Sequence, residues 1–375
     1  MHARPSLSKK KFSFLEFLNP SLKTREGKSM KKTCYLLLAL LLIPAGILAQ
    51  DINEELVKAA ELGDVAAVKA LLEKGASVNY RGYTSQCGGC SALIAAAKSG
   101  RVEVVRLLLE KGADANDMNS DGLTALMSAA LGGYTEVARL LIEKGAKLDR
   151  RFWNRTAMLI AAERGYTDFV ILLLNAGANA SDKEDGDTSA LMHAAYRGRT
   201  EMAAALIEKG VSVNDKDIDG RNSLMRAAEN GHIEVVKLLI EKGAEVNDRP
   251  IDGMTALMRA TERGHIEIVK FLLEHKAEVN ERDDIGQTPL IIAADKEQTE
   301  IVKILLEKGA SVNEKTNEGK TALMRAAYYG YTVIVKLLLE KGASVNERDN
   351  RGETALKMAR KEEVRNLLKA AGGLE

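Results

Sequence analysis

The chain has 375 residues, of which 46% are hydrophobic and only 4% aromatic, and a formal net charge of +1. So few large side chains argue against one thick globular core, whereas abundant small aliphatic residues suit thin layers of closely packed helices. Residues 1–49 hold nine basic and two acidic residues, which leaves 45 basic and 51 acidic residues in the remainder. A mildly acidic body gives no electrostatic reason to expect nucleic-acid binding.

The N-terminal segment is predicted to be a targeting signal. A basic start at Met30 precedes an apolar run over residues 35–43, and Ala49 is a small residue suited to cleavage. We therefore expect a signal peptide over 30–49, export to the periplasm or secretion, and no stable membrane insertion after cleavage. An uncleaved anchor is the alternative. Residues 1–29 fit neither and are expected to be an untranslated or unfolded extension, with Met30 competing with Met1 as the true start.

A repeat occupies the rest of the chain. Equivalent leucines recur every 33 residues at Leu191, Leu224, Leu257, Leu290, Leu323 and Leu356. The phrase around them, such as residues 253–260 (Gly-Met-Thr-Ala-Leu-Met-Arg-Ala), resembles the ankyrin repeat, although only 288–290 carry its usual Thr-Pro-Leu. The resemblance implies an all-α repeat solenoid of helix-turn-helix units with β-turn or hairpin fingers, with about nine stacked units including caps.

The repeat domain is predicted to cover residues 50–375 and to begin and end with atypical capping units. Its expected units are 51–79 (N-terminal cap), 80–116, 117–149, 150–181, 182–214, 215–247, 248–280, 281–313, 314–346 and 347–375 (C-terminal cap).

Local chemistry within one unit supports the same architecture. Thr255 is a good N-cap, 256–263 should form a short helix, and Gly264 can adopt the left-handed conformation that ends it. A second helix is expected at 234–242 in the preceding copy, with an apolar face. Because one such unit cannot bury both helix faces, the units must stack.

Residues for catalysis or metal binding are not clustered in the sequence. The five histidines have no ligand spacing, and His232 and His265 are 33 residues apart because both occupy the same loop of the repeat. We expect these two to cap and pack between helices. The recurring carboxylates lack a calcium-loop pattern. The sequence thus predicts a protein that is not an enzyme and has no cofactor or metal.

Cys87 and Cys90 lie in an enlarged first finger, where Asn79 to Leu93 spans 14 positions against 10 for Asn116 to Leu126. In an oxidising compartment they are predicted to form a structural disulfide. Metal binding or thiol exchange is the alternative, although the strand-helix context of thioredoxin-type motifs is missing.

Partner-binding positions follow from the resemblance, which implies recognition through the fingertips and the exposed residues of each first helix. Ser128, Leu131, Ile160 and Ile292 belong to these positions. The residues singled out as the binding site are Phe152, Trp153, Arg164, His193, Tyr196, Arg197, Arg226, Glu229, Arg259, Glu262, Arg263, Arg325, Tyr328 and Tyr329.

Two features of this set have two interpretations each. Arg226, Arg259 and Arg325 form a broken line that suits an acidic partner, or they pair with glutamates three residues on, as Arg226 would with Glu229. Trp153 is either an interface anchor or a plug for the one-residue deletion in its finger. The equally spaced methionines, such as Met258, are expected to pack between repeats rather than to bind peptides.

The sequence therefore favours a monomeric, non-catalytic scaffold that binds another protein outside the cytoplasm. Its alternatives are a thiol-redox or metal-dependent role of the Cys87/Cys90 finger, a secreted effector that binds a foreign host protein, and a nucleic-acid binder that uses the arginine line.

Overall fold

The structure is a computed structural model that describes residues 45–84 and 87–375, with side chains from Asp51 onward. The predicted extension at 1–29 and most of the predicted signal peptide lie outside the described residues. The repeats belong to one compact unit, Asn53–Glu375.

Two sets of helices alternate along the chain, and each range predicted for a repeat holds one helix of each set, except that the first helix of 51–79 begins earlier, at Ala45. The described residues thus form ten units, one more than the nine or so expected, and we number these ranges repeats 1 to 10. The first helices are α1 (Ala45–Leu62), α3 (Ala92–Lys98), α5 (Ala125–Gly132), α7 (Ala157–Arg164), α9 (Ala190–Tyr196), α11 (Ser223–Glu229), α13 (Ala256–Arg263), α15 (Pro289–Asp295), α17 (Ala322–Tyr329) and α19 (Ala355–Met358).

The second helices follow each first helix after a tight turn and have nearly constant length. They are α2 (Val65–Glu73), α4 (Val102–Glu110), α6 (Thr135–Glu143), α8 (Thr167–Asn175), α10 (Thr200–Glu208), α12 (Ile233–Glu241), α14 (Ile266–Glu274), α16 (Thr299–Glu307), α18 (Thr332–Glu340) and α20 (Glu362–Ala370). The second helix predicted at 234–242 therefore begins and ends one residue earlier.

The ends of the first helices form as their sequence predicts. Thr255 caps α13 through a hydrogen bond from the Met258 backbone N–H to its hydroxyl, and Gly264 ends the helix in the left-handed conformation. Threonine, serine or asparagine side chains cap α5, α7, α9, α11, α15, α17 and α19 in the same way. The cap of each of these eight helices offsets orphan N–H groups of a helix too short to be stable alone.

The core lies between the two helix layers, because each first helix from α3 to α17 packs against its own second helix and against the next first helix. Alanine and leucine positions are fully buried there, and the repeated methionines Met127, Met192, Met225, Met258 and Met324 are all at most 1% exposed. The methionines therefore pack between repeats, as predicted.

An asparagine ladder joins successive repeats on the side of the second helices. Asn247, for example, donates to the Lys276 carbonyl oxygen at 2.9 Å and accepts from the Glu278 backbone N–H at 2.9 Å. Asn116, Asn214, Asn280, Asn313 and Asn346 make the same pair of bonds to the following repeat. This role of the asparagines was not predicted from the sequence.

Backbone hydrogen bonds also join neighbouring fingers. Ile218 N–H donates to the Gly186 carbonyl, Ile251 N–H to Asp219, and Asn317 N–H to Ile285, each at 2.9 Å. The first finger adds a two-stranded antiparallel ribbon, β1 (Arg81–Gly82) paired with β2 (Cys90–Ser91).

In the part of the chain that the structure describes, repeat 4 (150–181) lacks both the asparagine ladder and the backbone hydrogen bonds between neighbouring fingers. Asp149 and Ser181 stand where the ladder asparagines are expected, and among the described residues neither side chain bonds to the next repeat. No hydrogen bond or ion pair between described residues crosses from repeat 3 (117–149) to repeat 4, so this junction is held by apolar helix packing.

Candidate functional site

The first helices present a row of side chains on one face of the repeat unit, and aromatic residues stand out in it. Tyr196 is 50% exposed, Tyr328 36% and Tyr329 42%. Tyr328 and Tyr329 lie edge to face with ring centroids 5.0 Å apart. Exposed, rigid aromatic side chains are the type that anchors protein interfaces.

Several positions expected to be exposed in this row are buried. Ser128, Ile160 and Ile292 are at most 3% exposed, and Arg259 is 5% exposed. They occupy the centre of the first helices, where the neighbouring first helix covers them. The surface available to a partner is therefore formed by the helix ends and the fingers, with Arg164, Arg197 and Arg263 exposed and His193 half-buried.

The arginine line is already engaged by carboxylates of the protein itself. Arg226 pairs with Asp217 at 2.6 Å, Arg325 with Asp295 at 3.4 Å, and Arg259 with Asp252 at 2.7 Å. The pairing of Arg226 with Glu229 and of Arg259 with Glu262 within one helix turn was therefore the wrong expectation. The carboxylates come instead from the fingers and from the preceding repeat.

Glu229 and Glu262 connect neighbouring repeats. Glu229 of repeat 6 pairs with Arg263 at 3.1 Å and Arg259 at 3.5 Å, and Glu262 pairs with Lys296 at 3.6 Å. Both glutamates therefore fix the alignment of first helices, and the buried Arg259 is a structural residue of this network.

A second charged cluster joins repeats 4 and 5. Glu184 lies 2.8 Å from His193 Nε2 and 2.6 Å from Arg155 Nε, and Arg155 also contacts Glu163. Burial of Glu184 acts to raise its pKa, but the hydrogen bond and charge of His193 and the charge of Arg155 oppose burial, so the pKa is lowered. His193, a predicted binding residue, thus forms part of an internal ion network.

His232 and His265 have the structural role predicted for them. The Nε2 atom of each lies 3.0 Å from a backbone carbonyl oxygen of the preceding repeat, that of Tyr196 and Glu229 respectively. Each imidazole therefore donates to the last turn of a first helix, where carbonyl groups lack a helical partner.

Trp153 projects from the shortened finger of repeat 4. Phe152 and Arg155 exchange backbone hydrogen bonds at 2.9 and 3.0 Å, so Trp153 and Asn154 form a two-residue turn. Trp153 has a φ of +49° and Asn154 a φ of +55°. The Trp153 side chain is 79% exposed, and its ring centroid lies 6.0 Å from that of Phe152. The alternative that Trp153 plugs the deletion is wrong, because the tight turn points its side chain into solvent.

The enlarged first finger is closed by a disulfide between Cys87 and Cys90, whose Cα atoms are 5.8 Å apart. Both cysteines are at most 7% exposed. Asn119 donates to Cys87 Sγ at 3.5 Å and Ser120 N–H donates to the Gly88 carbonyl at 3.3 Å, so the finger is fixed to repeat 3. Ser85 and Gln86 lie outside the described residues.

Exposed isoleucines at the fingertips were not predicted from the sequence. Ile218 is 70% exposed, Ile251 69% and Ile285 59%. The 33-residue separation of the first two was the signal that pointed to them. Arg351 and Arg360 of repeat 10 were also missed, because the cap departs from the repeat phrase.

The described residues, 45–84 and 87–375, contain no group of three or more histidine, cysteine, aspartate or glutamate side chains placed to hold a metal ion. None of their helices combines the length and apolar character needed to cross a membrane.

Comparison with known proteins agrees with the repeat geometry. Family models described as ankyrin repeats (3 copies) match residues 30–119, 56–152, 112–184, 158–250 and 246–316, and a model described as ankyrin repeats (many copies) matches 305–359. The chain belongs to the ankyrin-repeat family. Proteins with this fold generally act as non-catalytic scaffolds that mediate protein–protein interaction.

Among solved structures, the human ASB11 ankyrin repeat domain is similar to this chain, with 29% sequence identity and a TM-score of 0.55. The match covers 59% of this chain and 100% of that domain. No curated protein matches the sequence.

Proposed function

We propose that the protein is a non-catalytic scaffold that binds another protein through the ends of its first helices and its fingertips, outside the cytoplasm. The observation that carries the proposal is the set of exposed aromatic side chains, Trp153, Tyr196, Tyr328 and Tyr329, on a surface formed by stacked repeats. Aromatic anchors on a pre-organised surface bind with little loss of conformational entropy.

The location outside the cytoplasm rests on the sequence pattern at 30–49 and on the Cys87–Cys90 pair. A disulfide in a chain with no other cysteine after residue 49 suits an oxidising compartment. N-terminal sequencing of the mature protein, recovered from the extracytoplasmic fraction, tests this part. A mature chain beginning near Gln50 is expected, and recovery of the intact N-terminus from the cytoplasm contradicts export.

Affinity capture tests the binding surface. The immobilised chain from Gln50 to Glu375 is exposed to the extracytoplasmic proteins of the source organism, and eluates of wild type, Trp153→Asn and Tyr328→Ala/Tyr329→Ala are compared by mass spectrometry. A protein enriched by wild type and lost with either variant is the expected result.

Val333→Gln is the matched control, because Val333 is 56% exposed and lies on a second helix, α18, rather than on the proposed surface. This variant should capture the same protein as wild type. Equal capture by all variants would place the binding surface elsewhere.

A further inference from the structure

The first helix of the last repeat is unusually short. α19 has four residues, whereas the first helices α3 to α17 have seven or eight. The chain becomes extended at Ala359, with φ −63° and ψ 123°. As a result, no second helical turn continues beside the end of α17.

A cavity of about 270 Å³ opens at this place, between repeats 9 and 10. Met324 and Met358 form its apolar part and Tyr328 and Tyr329 one wall. Lys320, Arg325 and Arg351 bring three positive charges, and Asp349 and Glu353 bring two negative ones. The Glu353 carboxylate pairs with Lys357 at 3.5 Å. The Arg360 guanidinium lies 3.9 Å from the Tyr328 ring centroid and extends that wall.

The charges of the cavity are unevenly neutralised. The Asp349 carboxylate is buried and accepts the backbone N–H groups of Arg351 and Glu353 at 2.9 Å. Lys320 pairs with Glu318 at 2.6 Å and Arg325 with Asp295 at 3.4 Å. Among the described residues the Arg351 guanidinium has no hydrogen bond or ion pair, and Arg351 is exposed.

The positive charges of these residues act on the exposed carboxylate of Glu318. The hydrogen bond and charge of Lys320, with the charges of Arg325 and Arg351, lower the pKa of Glu318. An anionic side chain brought into the same field is stabilised in its charged form for the same reason.

We infer that this cavity, defined by Arg325, Tyr328, Tyr329, Arg351 and Met358, is a pocket for an acidic segment of a partner protein. Arg351 supplies a free guanidinium for a bidentate carboxylate contact, and the two tyrosines and Met358 contact the adjoining aliphatic stem. The inference rests on the proposed scaffold function and specifies the partner chemistry of one part of its surface.

Fluorescence anisotropy with a rhodamine-labelled peptide of four glutamates flanked by glycines tests the pocket, with the glutamine counterpart as the uncharged probe. We expect saturable binding of the glutamate peptide that weakens with added salt. Arg351→Gln should weaken binding about ten-fold. Arg139→Gln, which removes an exposed arginine from the second helix α6, should leave binding unchanged.

The outcomes separate the pocket from the general function. Absence of binding up to about 1 mM, equal binding of the glutamine peptide, no effect of Arg351→Gln, or equally tight binding of a labelled DNA oligomer would each overturn the inference. Circular dichroism of Arg351→Gln should match wild type, and Tyr329→Ala gives a second, uncharged test of the same wall. If a captured partner is lost with Trp153→Asn but retained with Arg351→Gln, the scaffold function stands and the pocket does not.

Discussion

Trp153 occupies a backbone conformation that bulky side chains avoid. A left-handed residue other than glycine costs about 1–2 kcal/mol, and asparagine tolerates this region better than most. Its neighbour Asn154 suits the same two-residue turn, whereas the tryptophan does not. A strained and 79% exposed indole adds little packing to the fold, which agrees with the binding role proposed for it.

Trp153→Asn is therefore expected to leave the free energy of unfolding unchanged or to raise it by up to about 1 kcal/mol, while partner capture falls. Urea denaturation followed by circular dichroism measures the first quantity. A clear loss of stability would contradict the strain argument and would show that the indole supports the fold.

Glu184 gives the fold a defined acid sensitivity. Because its pKa is lowered from an ordinary value of 4.5, its contribution to stability is present above that value and is lost as the pH falls through the lower folded pKa. We expect Glu184→Gln to lower the free energy of unfolding near neutral pH, and the difference from wild type to shrink as the pH falls below 4.5.

Denaturation curves measured between about pH 6 and pH 3 test this dependence. Glu278→Gln is the control, because the Glu278 side chain is exposed and has no ion pair among the described residues. A constant difference between wild type and Glu184→Gln over this range would exclude the ion cluster as its cause.

At the level of elements, the described residues lack the asparagine ladder at two junctions, between repeats 3 and 4 and between repeats 4 and 5. Asp149 and Ser181 replace the ladder asparagine on either side of α8, where the backbone groups of Gly177, Asn179, Gly210 and Ser212 are the expected targets. A carboxylate cannot donate to a carbonyl oxygen, and a serine side chain is shorter than the asparagine amide.

The double variant Asp149→Asn/Ser181→Asn should raise the free energy of unfolding by about 1 kcal/mol for each restored junction. Thermal and urea denaturation check the gain. Asn247→Ala, which removes two existing ladder bonds, should lower stability by a similar amount. If the double variant is no more stable than wild type, the junctions lack the geometry that the ladder needs.

At the scale of the whole molecule, stability in a stacked repeat protein is approximately a sum over repeats and their interfaces. The junction between repeats 3 and 4, without polar contacts among the described residues, is then the place where cooperativity should break. Repeats 1–3 and repeats 4–10 are expected to open as separate units.

Hydrogen exchange measured by mass spectrometry at increasing urea tests this division. Amides up to residue 149 should open with a different free energy from amides after it, so that the boundary falls between 117–149 and 150–181. Asp149→Asn should reduce this difference in opening free energy. A single opening free energy across both ranges would show that apolar packing alone keeps the stack cooperative.

The sequence by itself determined the repeat, the capped helices, the buried methionines and the role of His232 and His265. These features depend on local patterns of caps, turns and apolar spacing that recur every 33 residues. The family resemblance rests on the same local patterns, and the class of function follows from that resemblance.

Only the tertiary structure decided which side chains remain available to a partner. Arg259 is buried, Arg226 and Arg325 pair with carboxylates outside their own helices, Trp153 points outward, and the pocket beside α19 leaves Arg351 free. These properties arise from groups brought together from neighbouring repeats or from fingers folded beside the helices. The pattern within one repeat specifies a helix but not the neighbour that covers its exposed face.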